Sequence, residues 1–170
     1  MASDAELIVR VLADDDRHAF AEPIRRHQSD VRALLRRLAG DAALADDLAQ
    51  ETFLRAYRSL AQFRGGARFG SWLYRIATNA FLAQARRPVA LPEEPGPATM
   101  DGVLLRHDLT RALAELRPEE RAAIALTYGQ ELTHEEAAEL LEWPLGTLKT
   151  HVLRAKDKLR SRLLPQEATP

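Results

Sequence analysis

The sequence predicts an all-α protein made of two small helical domains joined by a flexible linker, and three observations lead to this prediction. Apolar residues recur every three or four positions along most of the chain, and no segment shows the alternation typical of strands. The stretch RRPVALPEEPGPATMDG is acidic, poor in apolar residues and carries four prolines, which is the composition of a linker. A chain of 170 residues can bury one medium core or two small ones. The predicted parts are a first domain (1–87), a linker (88–102), a second domain (103–164) and a tail (165–170).

Helix-start and helix-stop residues define the first two helices. Ser3 and Glu6 form a capping-box pattern that opens a short first helix. The second helix ends at Gly40, and Pro23 lies near its start, where proline marks the first turn or kinks the helix. The residues expected to face the core are Leu7, Ile8, Val11, Leu12, Phe20, Ile24, Val31, Leu34, Leu35 and Leu38.

Two further helices complete the first domain. Asp41 is expected to cap the third helix, and Ser71 the fourth, which stops before Pro88. Between them, the glycine-rich segment RGGARFG is expected to be a loop. The residues predicted to face inward are Leu44, Leu48, Phe53, Tyr57 and Leu60 in the third helix and Leu73, Ile76, Ala77 and Ala80 in the fourth.

The second domain is also predicted to contain four helices. Residues 103–116 form the first, and Pro118 opens another that Gly129 breaks. Thr133 and Glu136 form a second capping box at the start of a short helix, which ends before EWP. The last helix is expected to bury one stripe, formed by Leu145, Leu148, Val152, Ala155, Leu159 and Leu163.

Composition excludes several functional classes. Without cysteine, the chain has no disulfides and no thiolate metal sites. The N-terminal segment lacks the pattern of a signal peptide, and no run of eighteen apolar residues occurs, so we expect a cytoplasmic protein.

The distribution of charge indicates contact with a polyanion at two places, although the net charge is −1. From Thr52 to Pro92 there are seven arginines and no acid, and from Pro144 to Leu164 there are six Lys or Arg against one Asp. The acids are concentrated elsewhere, as in ELTHEEAAELLE, where they suit contacts with other proteins.

The C-terminal segment LTHEEAAELLEWPLGTLKTHVLRAKDKLRSRL has the organisation of a helix-turn-helix. A short capped helix, a tight turn and a longer basic helix follow one another, as in proteins that place the second helix in the major groove. The alternative is an antiparallel helix pair whose basic face is merely solvated. The predicted DNA-contacting residues of the longer helix are Thr147, Lys149, Thr150, His151, Arg154 and Lys156.

The loop RGGARFG and the helix after it combine cations, aromatic rings and an amide. Rings can stack on unpaired bases, arginines can bind phosphates, and Asn79 can bond to a base edge. The alternative for Trp72 and Tyr74 is a place in the core, which we favour for Tyr74, whereas both interpretations stay open for Trp72. The residues predicted to contact DNA here are Arg64, Arg68, Phe69, Trp72, Arg75 and Asn79.

Catalysis and metal binding find little support. HEEAA, from His134, begins like the helix of zinc proteases but has Ala138 where the second histidine must stand. The adjacent carboxylates of DDLAQE lie at a helix N-terminus, where acids are favourable in any case. We therefore expect no catalytic residue, no metal and no cofactor.

Three segments, in this order along the chain, resemble a bacterial RNA polymerase sigma factor: ADDLAQETFLRAYRSLAQF, FGSWLYRIATN and LAELRPEERAAIALTYGQELTHEEAAELLEWPLGTLKTHVLRAKDKL. The similarity is to the compact extracytoplasmic-function (ECF) branch, which has only sigma domains two and four, and it covers about residues 16–163. It implies that the first domain is sigma domain two and the second is sigma domain four.

The resemblance also implies roles and partners. DDLAQETF matches the segment that docks on the clamp helices of the largest polymerase subunit, which assigns core binding to Asp47, Gln50, Glu51 and Phe53. The glycine-rich loop and its helix match the reader of the single-stranded, non-template −10 element, and the last helix matches the reader of the double-stranded −35 element. The implied function is a non-enzymatic initiation subunit that gives polymerase promoter specificity, helps to open DNA, responds to a signal or stress and is controlled by an anti-sigma factor.

Three departures from the family pattern affect these expectations. Pro23 stands where a large aliphatic residue is usual, and Glu142 stands where a glycine often makes the turn. Lys149 and His151 replace common arginines, which weakens bidentate readout of guanine. Two other functions remain as alternatives: a stand-alone helix-turn-helix regulator, and an adaptor that binds only proteins.

Overall fold

The computed structural model describes residues 2–14, 17–63, 65, 68–87 and 102–164, without the side chains of residues 17 and 102–107. All regular structure in these residues is helical, which confirms the all-α class. The helices are α1 (Asp4–Asp14), α2 (Arg17–Ala39), α3 (Ala42–Arg58), α4 (Phe69–Ala85), α5 (Gly102–Ala114), α6 (Pro118–Ile124), α7 (His134–Leu141) and α8 (Leu145–Leu163). Residues 88–101 of the predicted linker and the tail 165–170 lie outside the described residues, and Gly102, predicted as linker, begins α5.

The predicted caps of α1 and α3 form because each needs only residues three positions apart. At the start of α1, the Ser3 amide donates to Glu6 Oε2 (2.8 Å) and the Glu6 amide to Ser3 Oγ (3.2 Å). Asp41 Oδ1 accepts from the Leu44 amide at 2.6 Å. Gly40, with φ +70°, provides the left-handed residue after α2. These local signals fix the ends of three helices.

The first unit, α1–α4, differs from the prediction at three positions. Pro23 lies inside α2, six residues after its start, and is buried, so the first-turn alternative is wrong, whereas a kink at Pro23 stays a prediction. Ser71 does not cap α4, because the helix starts at Phe69 with Arg68 as the extended residue before it. Leu12, predicted to face inward, is 49% exposed.

The second unit, α5–α8, places a short helix beside a long one. The helix from Pro118 continues past Ile124 as a π-helical turn, Ala125–Gly129. At the start of α7, Thr133 and Glu136 form the predicted capping box, with bonds of 2.8 and 3.1 Å. In α8 the middle of the predicted stripe is buried, whereas Leu145 and Leu163 at its ends are 36% and 38% exposed.

The two units pack against each other and share one continuous core of buried side chains. Arg121 of α6 donates to the Leu38 carbonyl of α2 at 2.7 Å, and its guanidinium lies 5.8 Å from the centre of the Phe81 ring. Arg37 of α2 donates to the Gly129 carbonyl at 3.0 Å. A close contact between the units is therefore part of this structure.

Candidate nucleic-acid interface

The residues predicted to read unpaired DNA lie on α4 and at its start, and we call Arg68, Trp72, Arg75 and Asn79 the α4 surface. Arg68 and Asn79 are exposed, and Trp72 and Arg75 are half-buried. Arg64 lies outside the described residues. Gly65, with φ +70°, adopts a left-handed backbone that favours glycine at this point of the loop.

An aromatic cluster of Phe63, Phe69 and Trp72 supports this surface. Their ring centres lie 5.3–5.5 Å apart, in tilted and edge-to-face arrangements. The sequence predicts a DNA contact for Phe69, but its ring is 3% exposed and belongs to the core. In this structure Phe69 therefore packs against Trp72 inside the fold and exposes no ring face to a base.

The start of α4 is held close to α2. A side-chain carbon on Gly70 would lie 3.0 Å from Nδ1 of His27, so glycine permits this approach. His27 in turn contacts Asp4 of α1 through Nε2 at 2.7 Å, and its ring lies 5.8 Å from that of Phe69. Contacts among α1, α2 and α4 thus fix the start of the helix that carries the α4 surface.

Tyr74, assigned to the core by the sequence, is half-buried and packs against the core cluster. Burial raises the pKa of its hydroxyl, and the charge of Asp30 adds to that rise. Arg37 acts in the opposite direction. Tyr74 is thus less accessible to solvent than Arg68 and Asn79.

The turn between α7 and α8 is made without a glycine. Glu142 itself adopts the left-handed conformation, with φ 57° and ψ 36°. The Trp143 amide then donates to the Ala138 carbonyl at 2.9 Å, closing the end of α7. A left-handed glutamate costs on the order of 1 kcal/mol relative to glycine.

Most of the predicted DNA-contacting residues of α8 point away from the core. Thr147, Lys149, Thr150, Arg154 and Lys156 are exposed, opposite the buried stripe. The Thr150 hydroxyl donates to the Gly146 carbonyl at 2.8 Å, and the Lys156 ammonium lies 5.6 Å from the centre of the Tyr128 ring. A cationic face therefore runs along the second helix of the helix-turn-helix.

His151 departs from the predicted outward position. Its ring is half-buried against Trp143, with ring centres 5.3 Å apart. Its Nδ1 is buried without a hydrogen-bond partner among the described residues. This packing leaves His151 less available to DNA than Lys149 or Arg154.

The predicted polymerase-binding residues lie on α3. Asp47, Gln50 and Glu51 are exposed, and Glu51 bonds to Arg55 at 2.5 Å. Phe53 is half-buried and packs against the core. Leu54 is 50% exposed and was not among the predicted polymerase-binding residues. It follows Asp47, Gln50 and Glu51 by seven, four and three residues, which places all four on one helix face, so this spacing could have identified it.

The structure also places acids beside the predicted DNA-binding cations, which the sequence did not suggest. Arg75 of α4 is hydrogen-bonded to the carboxylate of Glu142. Hydrogen bonds from Thr133 lower the pKa of Glu136, and the nearby charge of Arg68 lowers it further. The Lys149 ammonium lies 3.9 Å from the Glu135 carboxylate.

Neither a metal site nor a membrane span is found in the described ranges. No three His, Asp or Glu side chains there come together to hold a metal ion. None of the described helices is long and apolar enough to cross a bilayer.

Two family models match the chain in the order of its two units. Sigma-70 region 2 matches residues 23–88, and Sigma-70, region 4 matches residues 106–159. The chain is 33% identical to the ECF RNA polymerase sigma-E factor of Escherichia coli (strain K12), with 96% of this chain and 95% of the relative covered. It is 31% identical to the RNA polymerase sigma-H factor of Pseudomonas aeruginosa, with 95% and 94% covered.

Two solved structures are similar in fold. The sigma factor RpoE in complex with the anti-sigma factor NepR from Bartonella quintana matches with a TM-score of 0.69 and 25% identity, covering 85% of this chain and 96% of that one. CnrH, in complex with the cytosolic domain of CnrY, matches with a TM-score of 0.72 and 24% identity, covering 95% and 97%. The second likeness is one of fold alone.

Proposed function

The chain belongs to the ECF family of RNA polymerase sigma factors, and from this premise we propose that it is a dissociable initiation subunit that directs polymerase to promoters and helps to open them. In this proposal residues 1–87 act as sigma domain two, residues 88–102 as the linker and residues 103–164 as sigma domain four. The observation that carries the proposal is the presence, in one chain, of two cationic surfaces with different chemistry. One surface carries a tryptophan and an amide, and the other is the second helix of a helix-turn-helix.

The α4 surface is suited to unpaired bases. Trp72 is half-buried, so part of its ring remains available for stacking, and Asn79 is exposed on the same helix. Releasing a base from the duplex costs a few kcal/mol, which contacts to the released base must offset. We assign this surface to the non-template strand at the −10 element.

The exposed face of α8 is suited to duplex DNA. Thr147, Lys149 and Thr150 lie in its first two turns, where the second helix of a helix-turn-helix contacts base edges. Arg154 and Lys156 lie further along and suit phosphates. We assign this face to the major groove at the −35 element.

The exposed acids of α3 are suited to a basic partner surface. Asp47, Gln50, Glu51 and Leu54 form one face, in which carboxylates and an amide surround an apolar side chain. Charged and polar groups around an apolar centre are typical of protein interfaces. We assign this face, with Phe53 behind it, to the clamp helices of the largest polymerase subunit.

We further propose that the protein acts in the cytoplasm, without catalytic activity, under the control of an anti-sigma factor. The likeness to RpoE, which was solved with the anti-sigma factor NepR, supports such a partner. With no cysteine in the chain, a thiol-based redox signal must enter through a partner.

Run-off transcription with purified core polymerase tests the proposal. Sequencing RNA ends after overexpression first identifies promoters that respond to the chain. We expect transcripts from these promoters only when core polymerase and the chain are both present. Binding to duplex promoters without polymerase, together with no effect on run-off synthesis, would favour a stand-alone regulator instead.

Two pairs of variants separate DNA opening from polymerase binding. Asn79→Ala should reduce promoter opening roughly tenfold, because a well-placed bond to a base is worth about 1–3 kcal/mol. It should leave core binding unchanged, and the exposed amide variant Gln62→Ala should leave both unchanged. Glu51→Arg should instead weaken core binding, whereas Asp108→Arg, the same charge reversal on α5, should not. Equal opening by Asn79→Ala and the parent protein would remove the role assigned to Asn79.

A further inference from the structure

A cavity of about 540 Å³ lies among α5, α8 and the π-helical turn that follows α6. Leu109 and Leu113 of α5, Ile124 of α6 and Leu159 of α8 line it, and Arg37 of α2 contributes to the lining as well. Apolar cavities of about 300–1,000 Å³ with a few polar groups are typical of sites for small ligands. No described residue of α3 or α4 lines this cavity, so it is separate from the α4 surface and from the face assigned to polymerase.

Exposed apolar side chains are concentrated at this cavity. In the part of the chain that the structure describes, nine large apolar side chains are exposed, and four of the nine line the cavity. These four are Leu109, Tyr128, Leu163 and Leu164, which are 43%, 60%, 38% and 60% exposed. Single exposed leucines are ordinary, but exposed apolar side chains gathered at one concave place mark a binding surface.

The charged residues among the described lining are all cations, namely Arg37, Lys156 and Arg160. Each of them is exposed, so its charge meets water at the edge of an apolar wall. None of the three has an ion pair within 4.0 Å among the described residues, whereas Lys158 and Arg162 of α8 are paired with Glu120 and Glu115 at 2.7 and 2.6 Å. The cavity therefore combines an apolar wall with cations that remain available to an anion.

The π-helical turn positions two of these cations. Arg37 donates through Nη1 to the Gly129 carbonyl at 3.0 Å, and a side-chain carbon on Gly129 would lie 3.0 Å from the same nitrogen. The Lys156 ammonium lies 5.6 Å from the centre of the Tyr128 ring. Both Tyr128 and Gly129 belong to the turn Ala125–Gly129, and π-helical turns are rare and found frequently at functional sites.

We propose that this cavity binds one single-chain amphiphile with an anionic head group, of the fatty-acid class. The alkyl chain lies against the leucines of α5 and α8, and the carboxylate binds Arg37 and Arg160, whose forked N–H donors match carboxylate geometry. Because the cavity has the size of a site for one drug-sized molecule, the ligand we assign is a free fatty acid and not a two-chain membrane lipid. The inference goes beyond the proposed function and does not depend on it.

Isothermal titration calorimetry of the full-length chain with dodecanoate, kept below its micelle-forming concentration, measures this binding. We expect one site with a Kd on the order of 100 µM, which is the strength with which a single acyl chain holds to a bilayer. Each methylene removed from water strengthens binding about fourfold, so octanoate should bind at least about tenfold more weakly. Dodecyltrimethylammonium, which has the same chain and the opposite charge, should bind at least about fivefold more weakly than dodecanoate.

Two pairs of variants test the two parts of the site. Leu109→Asp places a carboxylate at an exposed position of the apolar wall and should weaken dodecanoate binding at least about tenfold, whereas Val9→Asp, at a 64% exposed position of α1 outside the cavity, should not. Arg160→Gln should weaken binding about two- to fivefold, because it removes one exposed charge partner. Arg162→Gln, on the same helix but outside the lining, should bind dodecanoate like the parent protein.

Amide chemical shifts in NMR spectra locate the ligand. Dodecanoate should shift the signals of residues 124–129 and 159–164, which include lining residues, and should leave the signals of α3 in place. Shifts spread evenly over the chain would indicate adsorption of a surfactant and would overturn the proposal.

The remaining outcomes also decide the proposal. Absence of saturable dodecanoate binding below about 1 mM would overturn it and leave the cavity to an apolar segment of a partner protein. Equal binding of dodecyltrimethylammonium would overturn the anionic head group, and equal losses in Leu109→Asp and Val9→Asp would overturn the location. Co-sedimentation with phosphatidylglycerol vesicles that Leu109→Asp abolishes would overturn the assignment to a free acid, because the occupant would then be a membrane lipid.

Discussion

The α4 surface and the exposed face of α8 carry similar cations but differ in how these cations are engaged. On α4, Arg75 is paired with a carboxylate of the other unit and Arg68 lies near another. On α8, the exposed Arg154 has no ion pair within 4.0 Å among the described residues, whereas Lys158 is bound to the buried Glu120 at 2.7 Å. Counting charges along the sequence therefore measures how basic a segment is, but not which cations can receive a phosphate.

The largest expected effect concerns whether the two units unfold together. Leu73 of α4 and Leu148 of α8 are both 0% exposed. Changing either to alanine should lower the free energy of unfolding by about 2–5 kcal/mol, because each change leaves a cavity. Since the units share a core, both changes should shift a single transition.

The two tryptophans allow this expectation to be tested. Trp72 lies in the first unit and Trp143 in the second, so Trp72→Phe and Trp143→Phe each leave one fluorescent reporter. In urea, the midpoints seen by the two reporters should coincide and should move together with Leu148→Ala. Leu153→Ala, at a 61% exposed position of α8, should stay within about 0.5 kcal/mol of the parent. A shift confined to the Trp143 signal would mean that the units fold independently.

Arg121 gives a smaller effect that acts on the contact between the units. Its guanidinium donates to the carbonyls of Leu38, Ala114 and Leu116 at 2.7, 2.8 and 3.2 Å. Arg121→Lys should lower stability by about 1–3 kcal/mol, because an ammonium group cannot reproduce this fork of donors and leaves part-buried carbonyls without a partner. The urea midpoints of the two tryptophan reporters should also separate. Arg111→Lys, at an exposed position on α5, should do neither; an equal loss there would contradict the role of Arg121.

The sequence predicts local features of this fold well because their causes are local. The capping boxes at Ser3 and Thr133 and the cap at Asp41 each depend on atoms three residues apart. Ser71 fails as a cap although its residue type is suitable. The helix begins two residues before Ser71, at Phe69, whose ring is buried in the aromatic cluster. Tertiary packing at Phe69 therefore overrides the local capping signal of Ser71.

Contacts between the units could not be predicted in the same way. Arg37 and Arg121 bind backbone carbonyls, which every residue has and which therefore leave no pattern in a sequence. Glu142 could be recognised as unusual for its turn, but the sequence does not indicate that its carboxylate meets Arg75. Both basic segments were predicted, whereas the pairing of their cations with acids depends on the tertiary arrangement.

Glu120 is the carboxylate that engages Lys158 of α8. The carboxylate is 1% exposed and accepts from the Lys158 ammonium at 2.7 Å and from the Arg117 amide at 3.0 Å. Burial acts to raise the pKa of Glu120, but these hydrogen bonds and the nearby positive charges outweigh it and hold the pKa below its ordinary value. The ionised form therefore stabilises the folded chain.

The sign of the pH dependence follows from that lowered pKa. The contribution of Glu120 is fully present above the ordinary carboxyl pKa of about 4 and is lost as pH falls through the lower pKa of the folded state. Glu120→Gln should be about 1–2 kcal/mol less stable at pH 7, and the difference should shrink below about pH 4. Urea unfolding at several pH values measures this, with Glu119→Gln as the neighbouring control. A difference that stays constant down to low pH would indicate lost packing and not a lost charge.

The smallest expected effect distinguishes a free cation of α8 from an engaged one. Each phosphate that a protein neutralises contributes about 0.9 to the slope of log K against log salt. Arg154→Gln should therefore make the slope for holoenzyme binding to a responsive promoter less steep by about 0.9 if Arg154 contacts one phosphate. Lys158→Gln should leave the slope unchanged, because its ammonium is held at Glu120, 2.7 Å away. Equal changes in slope for the two variants would show that Lys158 leaves Glu120 when DNA binds, and the distinction between free and engaged cations would then apply only to the unbound chain.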